Sequence, residues 1–201
     1  SVLSNFRMIQ DEVPHIDLLA LRFADIGSTG ITCELGEIEL PFGNMGNRRF
    51  PKTNPFFSLP LMYEHLTTVR NSDYELWVLD ARYTAAGNGI HVLDQGLYDL
   101  GVKAYISASI FDFSVALTNG MVSATSGYYQ GGLNAHSGFG KTFRIAATPM
   151  IGLTIGASYA FGPFLRDISY YSPLYYHLDP EEYSEQSISG DIDFSYEHFS
   201  L

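Results

Sequence analysis

The chain has 201 residues, 46% of them hydrophobic, and a net charge of −11 at pH 7. Its 11 Lys and Arg residues, against 22 Asp and Glu, argue against a nucleic-acid partner, because phosphate binding requires a basic surface. No run of about 18 apolar residues occurs, so no transmembrane helix is predicted.

The first two strands are predicted over residues 15–25 and 31–41. In the first strand, every second residue is bulky and apolar, as expected for a strand with one apolar face. The second strand alternates less regularly, because Glu34 and Glu37 fall on opposite parities. A bulge near Gly36 would bring both carboxylates to one face.

A long loop is predicted over residues 44–99, which are rich in proline and in short apolar clusters. A structureless loop of this length is plausible only if it packs, and in a barrel it would fold inward and narrow the pore. An additional hairpin over residues 75–84 is the alternative. The cations Arg48, Arg49 and Lys52 would form an anion-attracting constriction on an inward loop, or would be solvated on an external one.

Regular alternation returns in five further strands. They are predicted over residues 100–110, 113–118, 138–147, 152–162 and 187–197. Tight turns are expected near Phe111 and Asp112 and over residues 148–151, whereas the connections over residues 119–137 and 163–186 are long and polar.

One parity of these strands is bulky and apolar, and the other is polar or glycine-rich. The side chains predicted to face lipid are Leu100, Val102, Ala104, Ile106, Phe113, Val115, Leu117, Phe143, Ile145, Leu153, Ile155, Ile192 and Phe194. The side chains predicted to line the lumen include Lys103, Tyr105, Arg144, Asp191, Asp193 and Glu197. These opposed charges could set a transverse field in a pore, or they could form salt bridges with no role in selectivity.

The lengths of the strands and the alternation of short and long connections together predict an all-β, antiparallel, up-and-down transmembrane β-barrel. The arms of the hairpin over residues 138–162 are about ten residues long, which suits a tilted strand that crosses a bilayer. Short and long connections alternate, as in outer-membrane barrels. About seven strands would leave unpaired edges in lipid, so residues 1–201 are expected to be an incomplete portion of one larger barrel domain.

A soluble or surface-exposed β-sandwich that binds a ligand through its Tyr-rich loops is the alternative fold and function. An enzyme is not predicted, because the six His residues are scattered and no Ser, His and acid trio is set up by spacing. The single Cys33 cannot form an internal disulfide, and neither a metal nor a cofactor is expected.

Several stretches resemble a known family. They are GEIELPFGNMGNRRFPKTNPFFSLPL, GVKAYISASIFDFSVALTNG, GKTFRIAATPMIGLTIGASYAFGPF and SGDIDFSYEHFSL. They are similar to the large outer-membrane porins of Gram-negative bacteria, broadly to phosphate-selective and related general porins. The resemblance implies a signal peptide, further strands, a bacterial outer-membrane location and a monomer or homotrimer. It also implies passive diffusion of small hydrophilic solutes or ions through a water-filled barrel, although the acidic composition departs from an anion-selective pattern.

Overall fold

A computed structural model describes a single β-sheet whose strands follow one another in chain order. The described residues are 2–7, 15–44, 62, 65, 67, 92–93, 97–123, 138–164, 183–196 and 199–200. The strands are β1 (Val2–Arg7), β2 (His15–Phe23), β3 (Thr32–Glu39), β4 (Tyr98–Ala108), β5 (Phe111–Thr118), β6 (Gly140–Met150), β7 (Leu153–Pro163), β8 (Ser184–Tyr196) and β9 (Phe199–Ser200). Each strand pairs antiparallel with the next. Among the described residues, no helix has the length and apolar character that crossing a membrane requires.

The seven predicted strands correspond to β2 through β8, so the predicted all-β, antiparallel, up-and-down order is confirmed. The strands β1 and β9 were not predicted. β1 has only six residues, and its pairing with β2 shifts between Asn5 and Phe6, which breaks the alternation that would have revealed it. β9 has two residues, too few for any periodicity.

The predicted turn near Phe111 and Asp112 is wrong by two residues. β5 already begins at Phe111, and the chain reverses at Ser109 and Ile110. Ser109 has a φ of 58°, the left-handed conformation that tight hairpin turns need. The position was missed because serine gives a weaker turn signal than asparagine or glycine.

The predicted connection over residues 148–151 is also misplaced. β6 continues through Pro149 to Met150, and the reversal lies at Ile151 and Gly152, where Gly152 has a φ of 84°. A register shift between Ala147 and Met150 accommodates Pro149, which cannot donate to a regular ladder.

No bulge forms at Gly36. The pairing of β3 with β4 runs without a shift from Thr32 opposite Tyr105 to Glu39 opposite Tyr98. Glu34 and Glu37 therefore lie on opposite faces of the sheet, as strict alternation requires.

The register gathers the bulky apolar residues of β2 and of β4 through β8 on one face, which we call the outer face. On β3 this face carries Leu35 together with Glu37 and Glu39, whereas Ile38 is buried on the opposite face. The large apolar side chains of the outer face are exposed, for example Phe143 at 43% and Ile155 at 47%. The opposite face, called the inner face, carries small and polar residues, and several of them are buried. They include Ala116, Thr142, Ser158 and Ala160.

The chain crosses the inner face directly after β3. We call residues 40–44 the strap. The amide of Gly43 donates to Ser158 Oγ on β7 at 3.0 Å, and Asn44 Nδ2 donates to Asp193 Oδ2 on β8 at 3.0 Å. The start of the strap is tied to the residue directly before β4, since the amide of Leu40 donates to the carbonyl of Leu97 at 2.7 Å.

The short strap shows that the sheet is curled. In a flat sheet, the four inter-strand steps from β3 to β7 would separate these strands by about 19 Å. The extended chain from Leu40 to Gly43 spans at most about 11 Å, and the Ser158 side chain with its hydrogen bond adds only about 5 Å. The sheet therefore bends around its inner face, which is concave, and the strap runs through the space that it encloses.

Candidate functional site

The inner face is packed at one end and open at the other. Near the long connections, Leu40 and Phe42 of the strap form a buried apolar cluster with residues of three other segments. These are Leu93, Leu97, Met121, Val122 and Ala160. Towards the short turns lies a cavity of about 260 Å³, whose lining includes Arg22, Glu34, Pro41, Lys103, Tyr105 and Asp112. The strap thus closes part of the concave space and leaves a polar cavity beside it.

Three charged residues from neighbouring strands form what we call the glutamate cluster. Arg22 on β2, Glu34 on β3 and Lys103 on β4 lie side by side in the register. Glu34 Oε1 accepts from Arg22 Nε at 2.8 Å and contacts Nη2 at 2.6 Å, while Oε2 contacts Lys103 Nζ at 2.7 Å. Glu34 is only 3% exposed, so a single buried carboxylate is shared by two cations.

Tyr105 lies beside both cations of this cluster. Its ring centroid is 6.0 Å from Arg22 Cζ and 5.7 Å from Lys103 Nζ, at the outer limit of a cation–π contact. Lys103 Nζ also donates to the carbonyl of Glu39 at 3.4 Å, close to the start of the strap. The cluster therefore ties β4 to the end of β3, directly before the strap begins.

A second ion pair crosses β7. Arg144 Nη2 on β6 donates to Asp191 Oδ1 on β8 at 2.7 Å, and Nη1 donates both to Asp191 Oδ2 and to Ser158 Oγ, the latter at 3.2 Å. The pair passes over Gly156, where a Cβ atom would meet Arg144 Nη2 at 2.5 Å. Glycine at this position leaves the room that the two-pronged pair needs.

The structure brings together some of the residues predicted to line a lumen. Lys103 belongs to the glutamate cluster and Tyr105 lies beside it, Arg144 pairs with Asp191, and Asp193 accepts a hydrogen bond from the strap. Lys103 and Arg144 both form salt bridges, although the partner of Lys103 is Glu34 and not the acidic row of the last strand. Whether these charges affect selectivity stays a prediction. That these residues line a pore stays a prediction. Glu197 and the cations Arg48, Arg49 and Lys52 lie outside the described residues.

Arg22 and Glu34 were not predicted as site residues. The sequence could have predicted that Arg22 faces inward, because it alternates with the apolar residues Leu21 and Phe23 along the strand. For Glu34 no such signal exists, because the irregular alternation of its strand left its face undecided.

Within the described part of the chain, no group of three or more His, Cys, Asp and Glu side chains could hold a metal ion. Cys33 is a free thiol in β3, paired in register with Ala104 of β4. The described inner face thus carries paired charges and hydrogen-bonding groups.

Comparison of the chain with protein-family models, with curated proteins and with solved structures found no match. A function must therefore be inferred from the two faces of the sheet and from the charges on the inner one.

Proposed function

We propose that this chain is part of a porin of the Gram-negative outer membrane, through which small hydrophilic solutes or ions diffuse passively. The observation that carries the proposal is the direction of the curl: the sheet bends around its polar face and leaves its apolar face exposed. A water-filled barrel in lipid has this arrangement of faces.

The exposed outer face supports a lipid environment on energetic grounds. Apolar surface in water costs about 25 cal/mol per Å² relative to burial, and soluble monomers rarely expose a contiguous apolar patch larger than a few hundred Å². Here bulky apolar side chains are exposed on every strand from β2 to β8, and Ile188 reaches 83%. A bilayer would remove this surface from water.

Strand length supports the same environment. β4, β6 and β7 have 11 residues each. A tilted strand of about 9–11 residues is sufficient to cross the hydrocarbon core. Because adjacent strands pair along these lengths, their backbone groups are satisfied within the sheet, as a lipid environment demands.

The charges of the inner face favour the passage of solutes over the tight binding of one ligand. Its described cations are each paired with a carboxylate, so they present alternating positive and negative groups along the wall. The strap narrows the enclosed space without filling it, since the cavity of about 260 Å³ remains beside Pro41. Small hydrophilic solutes or ions fit such a passage.

The β-sandwich alternative requires a second layer over the outer face, as sandwiches bury one face of each sheet. The exposure of Ile188, Ile192 and Phe194 along β8 argues against such a layer over this strand.

Planar-bilayer recording tests the proposal. The complete porin is refolded in detergent and added to a planar lipid membrane, and stepwise increases in conductance are expected. Size-exclusion chromatography of the same preparation should give a single species only in the presence of detergent. A protein that stays monodisperse without detergent and produces no conductance would contradict the proposal.

A further inference from the structure

Lys141 is the one charged residue on the outer face of β4 to β8, and it lies near the long connections, whereas β3 adds Glu37 and Glu39 to the same face. Lys141 lies in the second position of β6, between Leu117 of β5 and Phe161 of β7 in the register. Its side chain is exposed, and its Nζ lies 4.9 Å from the centroid of the Phe161 ring. Lysine is costly in an apolar belt unless its ammonium group reaches the polar interface.

The charge of Lys141 is not neutralised by a described acidic group. The ion pairs among the described residues join Arg22 and Lys103 to Glu34 and Arg144 to Asp191, all on the inner face. Its neighbours across the strands are a leucine and a phenylalanine. The ammonium group is therefore held by an aromatic ring and stays available to an anionic ligand.

Aromatic rings connect Lys141 to an apolar trough. Phe161 stacks on Phe143 with centroids 6.2 Å apart, and it also contacts Tyr159 at 5.6 Å. Phe143 and Tyr159 in turn line a trough of about 710 Å³ on the outer face. Other residues along it are Ile106, Val115, Ile145 and Ile188. Its volume falls in the range of about 300–1,000 Å³ that small-molecule sites occupy.

We propose that Lys141 and this trough bind an anionic lipid with a phosphate-bearing head group, with the lipid phosphate on the Lys141 ammonium and one acyl chain along the trough. The order of groups, from a cation through three aromatic rings to aliphatic side chains, matches that of an amphiphile with a negative head. Aromatic side chains at this level are typical of the membrane interface. The inference rests on the proposed function, because it requires the outer face to contact lipid.

Spin-labelled lipids test the site. The complete porin is reconstituted into phosphatidylcholine vesicles that contain a trace of spin-labelled phosphatidylglycerol or spin-labelled phosphatidylcholine, and the motionally restricted fraction is measured. We expect the wild type to prefer phosphatidylglycerol and Lys141→Gln to lose about fivefold of that preference at low salt. Lys141→Arg should retain the preference, and added salt should weaken it.

Two results would overturn the inference while leaving the porin proposal intact. One is an inserted Lys141→Gln protein whose preference equals that of the wild type. The other is displacement of phosphatidylglycerol by millimolar inorganic phosphate under conditions where chloride of equal ionic strength has no effect, which would show that the charge alone binds and that the trough contributes nothing. If the wild type fails to insert into any vesicle, the porin proposal and this inference both fail.

Discussion

At the scale of single residues, the charge of the inner face depends on Glu34, because two cations share its carboxylate. Changing Glu34 to Gln keeps the side-chain shape but removes the negative charge, so Arg22 and Lys103 lose their shared counter-ion. Charges in a narrow passage act on ions more strongly than charges elsewhere. We therefore expect the reversal potential across a KCl gradient to shift towards anion preference in Glu34→Gln.

The control for this variant is Asp25→Asn. It removes the same charge from the exposed turn before β3, and its side chain keeps an oxygen that can accept from the amide of Gly30. Asparagine also tolerates the left-handed backbone at this position, where φ is 52°. Equal shifts in the two variants would mean that Glu34 does not face the conducting path.

Gly140 provides a second prediction at this scale. A Cβ atom on Gly140 would overlap the backbone carbonyl oxygen of Gly120, so alanine forces two main-chain segments apart. Gly140→Ala should lower the free energy of unfolding by about 1–3 kcal/mol, measured by urea titration in detergent micelles. In the matched control Gly190→Ala, no heavy atom lies within 4 Å of the new Cβ atom, so the change should stay within about 0.5 kcal/mol. Equal losses in both variants would refute the packing at Gly140.

At the scale of elements, the strap decides how much of the concave space is open. Phe42 is 3% exposed and anchors the strap in the buried cluster with Met121 and Val122. Truncating a buried phenylalanine costs about 3–5 kcal/mol of packing. We expect Phe42→Ala to loosen the strap and to raise the single-channel conductance.

Phe111→Ala removes the same ring from a position that is 42% exposed on the outer face, opposite the face that the strap crosses. Its conductance should match that of the wild type. If Phe42→Ala conducts like Phe111→Ala, the strap does not limit the passage.

At the scale of the whole molecule, the two faces of the sheet should meet different solvents. Ile188 and Ser189 are adjacent on β8 and point to opposite faces, because side chains alternate along a strand. In a Cys33→Ser background, a spin label at Ile188→Cys should collide with oxygen dissolved in lipid. A label at Ser189→Cys should collide with a water-soluble nickel complex. If the water-soluble complex shortens the relaxation time of both labels equally, the sheet does not lie in a bilayer.

The sequence by itself determined the seven strands from β2 to β8, their order and most of their faces. This was possible because period-two alternation is a local property of the extended backbone, visible wherever a strand is long and regular. Where the alternation is short or irregular, the prediction was wrong. β1 was not predicted, and the bulge predicted near Gly36 does not form.

Only the tertiary structure decided which face is concave, which charges pair and where the strap docks. Glu34 meets Lys103 through the register of β3 with β4, and Gly43 meets Ser158 through the curl of the sheet across four strand steps. Both contacts join residues far apart in the chain, so no local pattern encodes them. These contacts depend on how all the strands align with one another and on how far the sheet curls. The hydrogen bonds from the strap to β7 and β8 show that curl.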